Sequence, residues 1–400
     1  MAAAALAALT LDAPHRTTLH VVSPSGKPVW CSCADVEPGR LATTCAVVSA
    51  CVAIAEITEI DAGDRKIVID RHGELIFVAC GFRESAAALR RFTRAAHDAV
   101  LSSLTDKIHA ALERRPNADI GALLGSAKLV LAGLARTEDR SRMLGPLGLA
   151  TESVPDLLLE PGVRRSIQGA LKDALASLKG VPVVGAVLLW RDRLASVARP
   201  KNIVLHPRDM NTLVNFLASQ RGALSTGAAA WTPVCLPVLG SRGFLHAYVA
   251  GLGDDVVLAL LGAAPDAFEQ FHACRARLDA TLLEAGAFQA LRDAAGDLPS
   301  EVLGDCEHAA VVFERDGLRR CLCAAGGDAA TSREYDGLVD RCRGARGALA
   351  CAFAGGRTFA GAPLGRYTVF AAFRGRVPTA RVVDELAALA GRAGRCEGLM

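Results

Sequence analysis

Strand-like apolar runs followed by helical apolar stripes recur three times along the chain. Each time two strands form a hairpin, a helix follows, three strands make a meander, and a helix closes the set. In the first set two such runs predict strands over 17–22 and 28–32, joined through Ser25-Gly26-Lys27. An apolar run predicts a helix over 41–56. Strands are expected over 57–61, 66–71 and 75–82, with Ala62-Gly63-Asp64 and His72-Gly73 as turns. Ser85 is placed to cap a long helix with Leu89, Phe92, Ala96, Val100, Leu104 and Ile108 at helical spacing, which Pro116 stops. A further helix is expected over 120–134.

The stretch 136–162 holds Gly145-Pro146, Pro155 and Pro161 and reads as a linker, followed by a helix over 164–178. The second set has strands over 183–190 and 194–199, a helix opening at His206-Pro207, strands over 232–237, 244–250 and 256–261, and a helix over 266–284. Pro207 suits the first helical position and Asp209 the positive end of the helix. The third set opens over 308–314, turns at Asp316-Gly317 and returns over 318–323. A helix over 333–343, strands over 348–353, 358–361 and 367–373, and a helix from Pro378 complete it. Modules are therefore expected at 16–135, 181–290 and 305–394, with 136–180 as linker and connecting helix. Sequential antiparallel strands with flanking helices make this an α+β chain.

The helix over 41–56 is unusual for a surface element. Leu41, Cys45, Val48, Val52 and Ala55 form one apolar stripe, and Thr43, Val47, Ala50 and Ile54 form another nearly opposite. A helix apolar all round is covered on both sides. Its own sheet covers one side. The helix over 120–134 or a second chain covers the other; the second chain makes Thr43, Val47, Ala50 and Ile54 candidate partner-binding residues. Trp231 to Pro237, an apolar strand bracketed by prolines, is expected at a sheet edge, where some N–H groups go unused.

A hydrophobic content of 51% over 400 residues supports several cores, whereas a formal charge of +3 gives no footprint for nucleic acid or an acidic membrane. Arg outnumbers Lys by thirty-eight to seven without forming a basic run. The N-terminal run 1–9 lacks a basic leader, so no secretory signal is expected, and the charge-free run 41–55 is too short to span a bilayer. The thirteen Cys include no C-x-x-C. Cys31/Cys33 and Cys321/Cys323 are C-x-C pairs in strand-like segments, each pair sharing one sheet face. Reduced thiols, no metal and no cofactor are the expectation.

Catalytic motifs are equally scarce. Gly121-Ala-Leu-Leu-Gly125-Ser-Ala-Lys128 has the wrong spacing for a phosphate loop, and Gly251-Leu-Gly253 lacks the third glycine of a dinucleotide loop. His20 and His246 fall in strands, His206 at a helix start, and His97 and His109 on a polar helical face. No catalytic residue is expected.

Longer runs carry a resemblance. Val197 to Met210 (with Arg199, Pro200, Lys201, His206, Pro207 and Asp209), Leu213 to Phe216, Trp231 to Pro237 (with Pro233, Cys235 and Leu236), Gly243 to Val249, Asp254-Asp255 and Cys274 to Leu278 resemble the middle module of Mon-type vacuolar fusion proteins. Ser25 to Pro28, Arg115 to Ile120 and Leu123 to Gly125 resemble their first module. The match covers roughly 17–285; the last hundred residues agree only in layout, and no counterpart of the long polar N-terminal arm of many relatives is expected.

The resemblance implies three longin modules, each a five-stranded antiparallel sheet flanked by helices. It implies a heterodimer with a Ccz-type longin protein that acts as guanine nucleotide exchange factor for a late-endosomal, Rab-seven-type GTPase. A cytoplasmic scaffold peripherally recruited to late-endosomal and vacuolar or lysosomal membranes is expected, promoting fusion there. Fuzzy-type or Hermansky–Pudlak-type trafficking subunits, or an adaptor for sorting peptides, are the alternatives.

Overall fold

The computed structural model describes residues 17–33, 36–63, 65–82, 84–135, 149–220, 228–253, 255–294, 297–324, 329–344 and 349–396. The run 1–9, Gly145-Pro146, the turn residue Asp64 and the motif residue Asp254 lie outside them. Two compact units result, one from 1–142 with Cys235–Gly243, the other from 143–234 with 244–400.

The first unit is built on β1 (Thr18–Val22), β2 (Pro28–Cys31), β3 (Glu59–Asp61), β4 (Arg65–His72) and β5 (Leu75–Phe82), antiparallel in the order β2-β1-β5-β4-β3. Alternation splits the sheet into two apolar faces. Val22, Ile67, Ile69, Ile76, Val78 and Cys80 pack with Cys45 and Val48 of α1 (Pro38–Ala55). Phe77 on the other face meets His97 of α2 (Ala86–Leu104) edge-on. Ser85 caps α2 as expected, its Oγ accepting from Ala88 N at 3.0 Å.

The single helix expected through Ile108 is two. Thr105 takes a φ of 59° and α3 (Lys107–Arg114) starts afresh. The break receives the segment Cys235–Gly243: Cys235 N donates to Ser102 O at 2.8 Å, Asp106 N to Ser241 O at 2.9 Å, and Ser241 Oγ to Asp106 Oδ2 at 2.7 Å. The helix expected over 120–134 also divides, into a 3-10 turn (Gly121–Leu124) and α4 (Ala127–Ala135), because Gly125 adopts a φ of 49°.

His97 and His109 do not line a solvated face. They stack with His72 at centroid distances of 4.8 Å (His72–His97) and 5.6 Å (His97–His109). Glu74 N donates to His109 Nδ1 at 3.1 Å, so the His109 proton sits on Nε2, 3.4 Å from His97 Nε2. The turn glycine is packed against this ring: a Cβ on Gly73 would lie 2.4 Å from His109 Nδ1.

The second unit contains two sheets. In the first, β7 (Val183–Trp190), β8 (Arg193–Ala198), β9 (Ala229–Val234), β10 (Leu245–Gly253) and β11 (Val256–Gly262) are antiparallel in the order β8-β7-β11-β10-β9. The edge position expected for the Trp231 segment belongs to β9, which ends at Val234, and Pro237 opens a short helix. Leu188, Trp190, Tyr248 and Leu258 pack against Ile167 and Leu171 of a helix over Pro161–Ala176 and Phe271, Cys274 and Leu278 of another over Phe268–Glu284.

The other sheet has β12 (His308–Arg315), β13 (Leu318–Cys323), β14 (Ala350–Ala354), β15 (Arg357–Leu364) and β16 (Tyr367–Arg374). Asp316 and Gly317 both have positive φ, 55° and 66°, as the two-residue hairpin requires. Val311, Phe313 and Phe373 pack on Leu386 and Leu389 of the last helix, Thr379–Cys396, while Phe359 and Phe370 pack on Tyr335, Leu338 and Val339.

Five strands were expected here and six are present. The expected linker supplies β6 (Val154–Pro155), which adds parallel to β13 in the order β14-β15-β16-β12-β13-β6. One residue on, Asp156 N donates to Cys321 O at 2.8 Å and Leu157 N to Leu194 O at 3.0 Å. A four-residue segment thus hydrogen-bonds to strands of both sheets, β13 and β8. Pro155 is tolerated because Pro lacks only the donor, and its neighbours supply the bonds.

Asp156 is fully buried, and three guanidinium groups surround its carboxylate. Arg320 Nη1 donates to Oδ1 at 2.9 Å, Arg315 Nη1 to Oδ2 at 3.2 Å, and Arg164 Nη1 lies 3.4 Å from Oδ2. Arg320 is 1% exposed and also reaches Asp316 at 3.1 Å. Arg164 further donates to the carbonyls of Leu157 and Ala195. One carboxylate therefore holds residues from the connecting helix, β13 and the end of β12.

Two outcomes follow from these groups. Asp156→Ala leaves buried guanidinium groups uncompensated and lowers stability by about 3–5 kcal/mol, read as a lower denaturant midpoint of the second unit's transition. Burial holds the His109 pKa below its ordinary 6.5, outweighing the nearby acids. Protonation therefore favours the unfolded chain. Stability is complete above about pH 6.5 and is lost as pH falls below that toward the folded value. Thermal melts across this window show a smaller acid loss in His109→Gln than in the parent chain.

Candidate functional site

α1 starts three residues before the expected position because Glu37 caps it. The Glu37 carboxylate accepts from Gly39 N at 3.0 Å and Arg40 N at 2.9 Å, and Pro38 needs no N–H partner in the first turn. The helix is also pinned to the first hairpin. Ser49 Oγ donates to Pro24 O at 2.9 Å, and Gly26, with a φ of 78°, comes so near that a Cβ would lie 2.9 Å from Ala46 Cα. The Ser25-Gly26-Lys27 turn needs glycine for both conformation and contact.

One face of α1 is core: Cys45 and Val48 are buried, and Leu41 and Val52 are half-buried against the same cluster. On the other side Thr43 and Ala50 are exposed, Val47 is half-buried, and Ile54 is 85% exposed. Ala42, Ala46 and Ala53 are exposed around them, and no charge interrupts the run from Leu41 to Ala55. The helix proposed from sequence as an alternative cover, now α4, packs instead on α2. That helix lies on the Phe77 face of the sheet, away from α1. Among the described residues α1 thus presents, beyond the exposed Arg40 of its first turn, small uncharged side chains with one large aliphatic group at its C-terminal end.

The motif residues of the second unit serve separate structural tasks and do not converge on a pocket. Arg199 donates to Ile203 O and, through Nη2, to Asp316 O at 3.1 Å. Pro200 accepts from Ile203 N at 3.1 Å in a turn that leaves Lys201 exposed. His206 Nδ1 accepts from Arg208 N at 3.1 Å where Pro207 opens the helix Pro207–Gln220, and Asp209 is buried in its first turn. Trp231 stacks on His246 at 5.4 Å and donates through Nε1 to Pro265 O at 3.1 Å; Pro233 pairs opposite His246 on the edge strand. Cys235, Leu236 and Pro237 fall in the first unit.

Most cysteines behave as small apolar groups. Burial pushes the Cys45 thiol up to about 11 and those of Cys80 and Cys306 up to about 12, so they stay protonated at neutral pH. Cys321 and Cys323 share β13 as expected, whereas β2 ends at Cys31 and Cys33 lies beyond it. The structure does bring Cys31 and Cys33 together with His20, a grouping that spacing alone did not show.

Comparison with known proteins places this architecture. Residues 17–132 match the first longin domain of FUZ, MON1 and HPS1, and residues 182–278 match the second longin domain of the same proteins. The chain belongs to this longin family. Vacuolar fusion protein MON1 homolog A of Homo sapiens is 32% identical over 292 residues, 70% of this chain and 42% of that protein. MON1 homolog B of Mus musculus is 33% identical over 297 residues, 70% of this chain and 50% of that protein. Protein SAND of Takifugu rubripes is 28% identical over 289 residues, 70% of this chain and 53% of that protein. The chain spans about half the length of the curated relatives it matches. Among the described residues no helix is long and apolar enough to cross a membrane.

The two faces of α1 differ in what they tolerate. Val48→Asp places a charge in the fully buried stripe and unfolds the first unit, whereas Ile54→Asp, on a residue 85% exposed, changes stability by no more than about 0.5 kcal/mol. Thermal unfolding of the two purified variants distinguishes them.

Proposed function

We propose that this chain is a vacuolar-fusion longin protein and the scaffold subunit of a heterodimeric guanine nucleotide exchange factor. Its partner is a Ccz-type longin protein and its client a late-endosomal, Rab-seven-type GTPase. The observation carrying this is the outer face of α1 beyond the first-turn Arg40, where the uncharged Thr43, Val47, Ala50 and Ile54 would receive the partner. A face of this kind, opposite a fully packed one, is what a second longin module of similar shape covers well. The relatives are named vacuolar fusion proteins, which supports a cellular setting of peripheral recruitment to late-endosomal and vacuolar or lysosomal membranes.

Exchange by such a complex calls on no general acid, base or nucleophile. The paired subunits bind the nucleotide-free GTPase better than the loaded one, and that difference in affinity accelerates nucleotide release. Arg199, His206, Asp209, Trp231 and the other motif residues act as framework, as their hydrogen bonds and packing support.

Pairing with the Ccz-type protein and release of a fluorescent guanine nucleotide are the measurements. The heterodimer accelerates release and the chain alone does not. Ile54→Asp and Val47→Asp remain folded yet weaken pairing by about 2–5 kcal/mol, at least a thirtyfold rise in Kd, with exchange falling in parallel. Unchanged partner affinity in both folded variants would remove α1 from the interface.

A further inference from the structure

The first unit carries a group of metal-binding donors that the docking face does not use. His20 on β1 and Cys31 on β2 are directly opposite across the antiparallel ladder, so their side chains share one face of the sheet. Cys33 follows two residues later. One donor atom from each of the three, an imidazole nitrogen and two sulfurs, lie within 4.8 Å of one another. One backbone donor and one carbonyl meet the Cys31 sulfur, which donates to Cys33 O at 3.6 Å as a thiol. Cys33 N donates to Cys31 Sγ at 3.2 Å, a bond that favours the charged sulfur, while the neighbouring thiol and burial together push the Cys31 pKa upward in the absence of a cation. The backbone holding the group is fixed as well: Ser32 N donates to Leu19 O at 2.9 Å and Leu19 N to Ser32 Oγ at 3.0 Å.

We propose that His20, Cys31 and Cys33 form a zinc site in the first module. Zinc binds thiolate at about 2.3 Å and imidazole at about 2.0–2.1 Å in tetrahedral geometry, which sets donors about 3.6–3.8 Å apart. Donors already within 4.8 Å need only side-chain adjustment to close on the ion. Charge selects the metal. Two thiolates and a neutral imidazole around a divalent ion give no net charge, which suits a site whose histidine is 1% exposed. A monovalent soft ion such as copper(I) would leave an uncompensated negative charge. Binding displaces one proton from each thiol to solvent and transfers no electrons. A water completes the tetrahedron, since both cysteines are only half-buried and a third thiolate, from Cys45 or Cys80, would again leave negative charge. The ion ties β1 to the chain leading from β2 into α1. This assignment stands apart from the proposed exchange function.

The test uses the untagged full chain, reduced, stripped with chelator, reloaded with excess zinc or cobalt(II), and desalted. Elemental analysis gives about one zinc per chain, and cobalt gives visible bands of a tetrahedral centre with a near-ultraviolet thiolate charge-transfer band. Cys31→Ser combined with Cys33→Ser brings the content below about a tenth, whereas Cys321→Ser combined with Cys323→Ser leaves it unchanged. Because two protons are released, apparent affinity weakens about a hundredfold for each unit that pH falls below the thiol range. Parent chain retaining less than about a tenth of an equivalent, or lacking the thiolate–cobalt band, overturns the proposal without reference to any variant. So does full zinc content in the Cys31/Cys33 variant.

Discussion

The buried carboxylate of Asp156 is the constraint on which the second unit depends. A charge with no exposure is costly to desolvate, and three guanidinium groups at 2.9–3.4 Å are what makes it tolerable. Those groups come from the connecting helix and from both strands of the Asp316-Gly317 hairpin. The same short segment satisfies main-chain groups of β13 and β8, so the charge cluster and the strand addition fix one register together. A hydrophobic residue at 156 would satisfy the packing but could not specify which arginines gather there.

The longin sheets were legible in the sequence because their signals are local. Continuous apolar runs over 75–82 and 256–261, the glycines at Gly26 and Gly317, and the cap at Ser85 each act within a few residues. The sixth strand was not legible. Val154–Pro155 is two residues long, contains a proline, and owes its conformation to partners over 150 residues away. The break at Thr105 was hidden for a related reason: helical periodicity continues through it, and only a segment from 235–243 reveals why it exists.

The candidate face shows both situations at once. Two apolar stripes on α1 were readable from spacing, and the structure buries Cys45 and Val48 while leaving Ile54 out. The choice between cover by α4 and an open face was not readable, because it depends on which side of the sheet α2 occupies. The histidine stack and the His20–Cys31–Cys33 group were likewise invisible, since pairing across strands or helices brought together residues whose individual spacings carry no signature.

The excursion of Cys235–Gly243 into the first unit sets an order of events during synthesis. The first sheet and its helices are available once residue 142 has left the ribosome, but Ser102 and Asp106 wait for partners that begin 93 positions later. At about 5–20 residues per second, that interval is roughly 5–20 s. Throughout it, the junction between α2 and α3 is incomplete and exposed to chaperones, and the first module's completion is coupled to translation of the second.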